Sequence, residues 1–177
     1  MRKKLLFLAV LLPALVLGQA DKKRDIWEPF HFLVGEWEGQ GEGKSGISTV
    51  EKTFQFIMNR EYIQSTTRAV FKPQEKNPKG EIHEDLGFFS YDHFRKKFVF
   101  RQFHIEGFIN QYVLESISAD GKMLVFDSEG FENAPPGWKT RIIYRILDED
   151  TLEESFDIAT PGKDLQCYIL NTLKRKE

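Results

Sequence analysis

An all-β fold, a ten-stranded antiparallel up-and-down barrel, is predicted by three features of the 177-residue sequence. Ten strand-length runs follow one another with no convincing helix among them. Most of the turns that join them are two or three residues long. One run, Gly35-Glu36-Trp37-Glu38-Gly39-Gln40-Gly41-Glu42-Gly43, alternates with period two throughout. Ten strands joined by hairpins tend to close on themselves, because closure removes the unpaired edges of the sheet.

The chain begins with Arg2-Lys3-Lys4, an apolar stretch from Leu5 to Leu17 broken only by Pro13, and Gly18-Gln19-Ala20. This is the pattern of a Sec-type signal peptide cut after Ala20, so the mature chain is expected to be exported, periplasmic or secreted. Thirteen apolar residues are too few to span a bilayer, and no later segment reads as a membrane span. The expected organisation is a leader over residues 1–20 and a single barrel domain over 21–177. The leader holds three of the 25 basic residues and no acidic ones, which leaves 22 against 27 in the mature chain, a net −5. That balance argues against a nucleic-acid partner. Cys167 stands alone, so no internal disulfide forms. Four His are scattered without the i,i+4 spacing of a zinc helix.

Asp25-Ile26-Trp27-Glu28 has the spacing of a capping box, and a short helix over about 26–34 is expected to close one barrel end, with Trp27, Phe30 and Leu33 on its inner face. Pro29 is tolerated only in a first turn. The strands follow at 36–43, 47–58, 61–72, 82–91, 96–105, 108–117, 122–128, 139–147, 151–159 and 164–174. Residues 72–80 and 130–138 form longer, Pro-containing connections. The first strand puts Trp37, Gly39, Gly41 and Gly43 on its inner side. Three glycines there mean either a sharp barrel corner or a cavity wall.

If Glu106-Gly107 is a two-residue turn, Phe103 faces Asn110 and Arg101 faces Tyr112. Val99, Arg101, Phe103, Ile105, Phe108, Asn110, Tyr112 and Leu114 then form the more apolar, inward face. On this register Arg101 is either paired in the core, aimed at an anionic ligand group, or extended to the rim. His104 points outward or lies at the rim. His83 and Asp85 share a strand face and read as a hydrogen-bonded surface or rim cluster rather than an acid–base pair. No nucleophile elbow, P-loop or dinucleotide fingerprint is present, so nothing points to an enzyme.

The order of these features resembles the nitrobindin-like family, calycin-type β-barrels related in shape to fatty-acid-binding proteins. The glycine run carries the resemblance most specifically. It is joined by Thr67-Arg68-Ala69, by Ile82-His83-Glu84-Asp85-Leu86-Gly87-Phe88, by His104-Ile105-Glu106-Gly107 and by a last strand ending Leu173-Lys174-Arg175. The resemblance implies a ten-stranded barrel. In its haem-binding members the interior holds a b-type haem on a His of the last strand, with nitric oxide and peroxynitrite chemistry. Here that position falls on Tyr168, Lys44-Ser45 replaces a Tyr-Pro, and Ser90 replaces an Arg. Tyr can ligate ferric haem if a cation such as Arg101 lowers its pKa. Polarity alone puts Leu165, Cys167, Ile169 and Leu173 inside and Tyr168 outside, whereas family counting puts Tyr168 inside.

The sequence therefore predicts an exported, non-catalytic barrel that binds a small, mostly apolar or amphipathic molecule. The ligand-binding residues would be Trp37, Gly39, Gly41, Arg101, Phe103, Phe108, Asn110, Tyr112 and Tyr168, with Arg101 as polar anchor. One alternative is a haem protein with a non-His ligand, Tyr168, holding haem b. The other is a filled-core barrel that acts through its surface.

Overall fold

A computed structural model describes residues 25–176. The expected signal peptide and its cleavage point lie outside the described residues. Ten strands appear, at β1 (Gly35–Gly43), β2 (Gly46–Ile57), β3 (Tyr62–Phe71), β4 (Glu81–Asp92), β5 (Lys97–His104), β6 (Ile109–Ile117), β7 (Met123–Glu132), β8 (Lys139–Asp148), β9 (Thr151–Ala159) and β10 (Gln166–Arg175). Each pairs antiparallel with its neighbour in sequence, and β1 pairs with both β2 and β10, so the barrel is closed.

The expected N-terminal helix is instead a 3-10 turn, Glu28–Phe30. The segment is held by i→i−3 bonds: Phe30 N–H to Trp27 O (2.8 Å), Leu33 N–H to Phe30 O (3.0 Å) and Val34 N–H to His31 O (3.2 Å). Asp25 Oδ1 accepts from Trp27 N (2.9 Å) in place of the capping box. With three residues per turn, side chains three apart eclipse one another. Trp27, Phe30 and Leu33 are spaced at threes, so the tighter turn buries all of them. They plug the barrel end against Phe89, Phe98 and Phe126, with Phe89 stacked on Phe100 at 4.0 Å. Rings of this size bury 150–250 Å² each, roughly 4–6 kcal/mol apiece in transfer free energy, so this end is the stability core.

Trp37 seals the same end. Its indole Nε1 donates to Leu33 O (2.7 Å), and Arg175 lies over its ring at 4.1 Å while donating to Val34 O and Phe32 O. The glycines beside it are points where β10 comes close to β1. A Cβ on Gly39 would lie 2.1 Å from Thr172 O, and one on Gly43 would lie 2.2 Å from Tyr168 O. At Gly41 the space belongs to Asn171 Oδ1 and Ser48 Oγ. Backbone and polar side chains fill what the missing side chains leave.

Two registers differ from expectation. The β5–β6 loop has three residues, Ile105 to Gly107, closed by Gly107 N–H to His104 O (2.8 Å), with Gly107 at φ +88°. The pairs are therefore Phe103 with Ile109, Gln102 with Asn110, Arg101 with Gln111 and Phe100 with Tyr112. One residue of slip turns the whole of β5 over. Phe100, Gln102 and His104 face inward, while Arg101 and Phe103 face out. The second difference is a β-bulge between Cys167 and Ile169. Ile169, Asn171 and Leu173 pair with inward residues, Cys167 is exposed, and Tyr168 is the extra residue. A bulge opposes two residues to one. Polarity is therefore right for Ile169 and Leu173 and wrong for Cys167.

A candidate ligand site in the open half of the barrel

Above the aromatic plug the inner wall turns polar. Lys52 of β2 meets Glu154 of β9 in a buried ion pair (side chains 3% and 7% exposed). Glu154 Oε2 also accepts from Asn171 Nδ2 (3.0 Å), and the Lys52 ammonium sits over the Phe54 and Tyr144 rings. Farther round, Tyr112 OH accepts from Asn110 Nδ2 (2.8 Å) and lies 3.4 Å from Thr140 Oγ1. Burial pushes both the Tyr112 and Tyr144 phenols above their ordinary range, so they stay neutral. Ser48 Oγ, Asn110 Oδ1, Tyr144 OH and Asn171 Oδ1 are buried with no protein hydrogen-bond partner. Buried polar atoms are normally paired, so a layer with four orphans is chemically unfinished.

At the rim of this half β4 and β5 bring together a second polar group. Asp85 on β4 pairs directly with His104 on β5, and His83 lies two residues along on the same face. His104 Nδ1 is 2.5 Å and His83 Nε2 is 3.1 Å from Asp85 Oδ1. His83 Nδ1 contacts Glu106 Oε1 at 2.7 Å, and Gln102 Nε2 donates to Asp85 Oδ2 at 3.0 Å. The His104 ring stacks on Phe108 (4.0 Å), which fixes its plane. The Asp85 carboxylate raises the pKa of His83 to about 9. Burial alone would raise Asp85, but the two imidazoles outweigh it and hold the carboxyl well below its usual range.

The site residues read from the sequence divide accordingly. Asn110 and Tyr112 are buried on β6, and Phe108 stacks on His104. Trp37 is taken up in the plug, and Gly39 and Gly41 lie against β10 and Ser48. Arg101 projects from the outer face of β5 and donates to Ser90 Oγ (3.3 Å), and Phe103 beside it is 40% exposed. Both are corrections to the expected interior placement, caused by the longer hairpin loop. His104, expected outward or at the rim, lies at the rim with its side chain 6% exposed and turned inward. The His83–Asp85 rim cluster is present and gains His104 as a third member. Lys52, Gln102, Thr140, Glu154 and Asn171 were missed. Period-two reading of β2 does place Lys52 with Val50 and Phe54, and that was the available signal. Arg101→Ala is expected to change stability by no more than about 0.5 kcal/mol and to leave ligand binding intact, measured by urea denaturation and by occupancy of the co-purified ligand.

Two grooves of about 570 and 230 Å³ lie along the outer faces of β2–β5 and β5–β7. Leu86, Phe103 and Ile105 line the larger one and Arg101 and Phe131 the smaller.

The family model of the THAP4-like, heme-binding beta-barrel domain matches residues 27–175. The chain belongs to that family. The nitrobindin-like resemblance therefore holds, and the family is one of ligand-binding barrels. No curated protein matches. Among solved structures, the chain is similar to Rv2717c from M. tuberculosis, at 20% identity and a TM-score of 0.64 over 85% of this chain and 97% of that one. A de novo designed fluorescence-activating beta barrel aligns at 10% identity and a TM-score of 0.41, over 82% and 94% of the two chains, too low for argument. The likeness to Rv2717c shows the shared barrel fold.

The haem that the family implies does not fit the residues present. Tyr168, in the position of the expected His, sits on the bulge with its hydroxyl 3.3 Å from Ser45 Oγ and its ring against Phe156. Arg101, the cation offered to lower its pKa, is on the outside of another strand. The glycine wall is closed by the backbone of β10. Below it the lumen is crossed by the Lys52–Glu154 pair. A macrocycle seated here would bury apolar surface against an ion pair and amides.

Proposed function

We propose that this barrel is a non-catalytic carrier or sensor of a small amphipathic molecule, held in its open half. The observation that carries this reading is the set of buried, unpartnered oxygens on Ser48, Asn110 and Asn171 around a paired Lys52–Glu154. A ligand with hydrogen-bonding groups would complete that layer, and Phe108, Phe156 and Ile169 nearer the mouth offer apolar surface to its other end. A mostly apolar pocket with a few converging polar groups is the usual form of a small-molecule site; this one is weighted toward the polar side. The basic-then-apolar leader supports export of the chain, which a mature N-terminus at Asp21 in the extracellular or periplasmic fraction would establish.

The test is native mass spectrometry of protein purified from its own source. The expected result is a co-purified small molecule whose occupancy falls at least tenfold in Asn110→Leu. Hemin added to the same protein is expected to give no saturable Soret band. A saturable band lost in Tyr168→Phe would overturn this reading in favour of haem. Wild-type protein that carries no adduct would favour a filled barrel working through its surface.

A further inference from the structure

We propose that His83, Asp85 and His104 form a binding site for a first-row divalent transition-metal ion, with Zn²⁺ the simplest occupant. One ligand atom from each lies within 4.8 Å of the others. First-row metals take His nitrogen at about 2.0–2.1 Å and carboxylate oxygen at about 2.0–2.2 Å, which spaces ligand atoms roughly 3–3.5 Å apart. The 2.5 and 3.1 Å contacts to Asp85 Oδ1 need only small side-chain adjustments to reach that spacing.

The hydrogen-bond accounting points the same way. His83 lies between two carboxylates, with Nδ1 2.7 Å from Glu106 Oε1 and Nε2 3.1 Å from Asp85 Oδ1, and a metal ion on Nε2 would take the place of the proton that nitrogen carries when the ring is charged. Asp85 Oδ1 and both ring nitrogens of His104 are buried without an aligned hydrogen bond although they crowd together. His104 is more than nine-tenths buried. A buried imidazole whose Nε2 has no partner is a costly arrangement unless something binds it.

The surroundings have the form of a metal site's outer layer. A ligating His typically passes its other N–H to a carboxylate, and ligating carboxylates are themselves hydrogen-bonded. Glu106 does the first for His83, and Gln102 does the second for Asp85. Phe108 holds the His104 plane, and His83, 29% exposed, leaves a path from solvent. Two His and one carboxylate leave at least one coordination position for water or an anionic group.

The experiment is titration of metal-stripped protein with Zn²⁺ by calorimetry, with Co²⁺ visible absorption as a second readout. Wild type is expected to bind one equivalent. His83→Ala and His104→Ala should each weaken binding at least 100-fold and Glu106→Gln about 10-fold. His83→Ala is the decisive variant, because its side chain is the most exposed of the three and its loss spares the fold. His31→Ala, which removes the separate surface pair with Asp25, should change nothing. Absence of saturable binding by wild type, unchanged affinity in His83→Ala, or loss in His31→Ala would each overturn the site. The outcome is separable from that of the organic ligand. Protein that keeps its co-purified adduct but binds no Zn²⁺ overturns only the metal site, and Zn²⁺ binding without an adduct upholds it while the carrier reading fails.

Discussion

Gly39→Ala is expected to lower stability by about 3 kcal/mol and the melting temperature by roughly 6–12 °C, read by thermal and urea denaturation. The added methyl would lie 2.1 Å from Thr172 O and 2.9 Å from Leu173 Cα. Neither is the mobile end of a side chain, so relief requires β1 and β10 to move apart along the seam that closes the barrel. Gly121→Ala is the control. Gly121 has φ +69° and nothing within 4 Å of its would-be Cβ, so the cost is the left-handed backbone alone, about 1–2 kcal/mol. If both cost the same, the glycines of β1 serve backbone conformation and not strand approach.

Lys52→Ala should cost about 3–5 kcal/mol, because it leaves the Glu154 carboxylate buried without its cation. Glu154→Ala should cost a similar amount. The double variant Lys52→Met with Glu154→Leu should recover most of the loss, since an ion pair replaced on both sides by apolar groups of similar volume is often neutral. A double-mutant cycle by urea denaturation measures the coupling. If the double variant loses the sum of the two single effects, the two groups act independently and the lumen is held by something else. The same double variant should bind the co-purified ligand more weakly than its stability suggests, because Asn171 also loses the acceptor at Glu154 Oε2.

Much of the fold was legible because a strand's period is local. All ten runs appear within a few residues of their expected limits, and Gly35–Gly43 appears over the range its alternation marks. The aromatic spacing at Trp27, Phe30 and Leu33 correctly marked a buried face, although the turn that presents it is 3-10 and not α. The helical reading failed at Pro29, where a first-turn proline is compatible with both.

The site was legible only in pieces. His83 and Asp85 could be placed on one face by counting two. His104 could not be added, because its direction depends on whether the hairpin loop has two residues or three, and Glu106-Gly107 satisfies both counts. The φ +88° of Gly107 and its bond to His104 O settled it. The same slip moved Arg101 from the ligand to the solvent.

The sequence by itself determined the strand count and the antiparallel order, which rest on side-chain alternation and turn chemistry within short windows, and its motifs carried the family resemblance. Only the tertiary structure decided which residues share the lumen. Lys52 and Glu154 are 102 positions apart, and their meeting depends on barrel closure across β1. The bulge at Tyr168 appears only in the pairing of β10 with β9. Registers are set by closure of the whole sheet, and a single residue of slip reverses every side chain, so no local window carries that information.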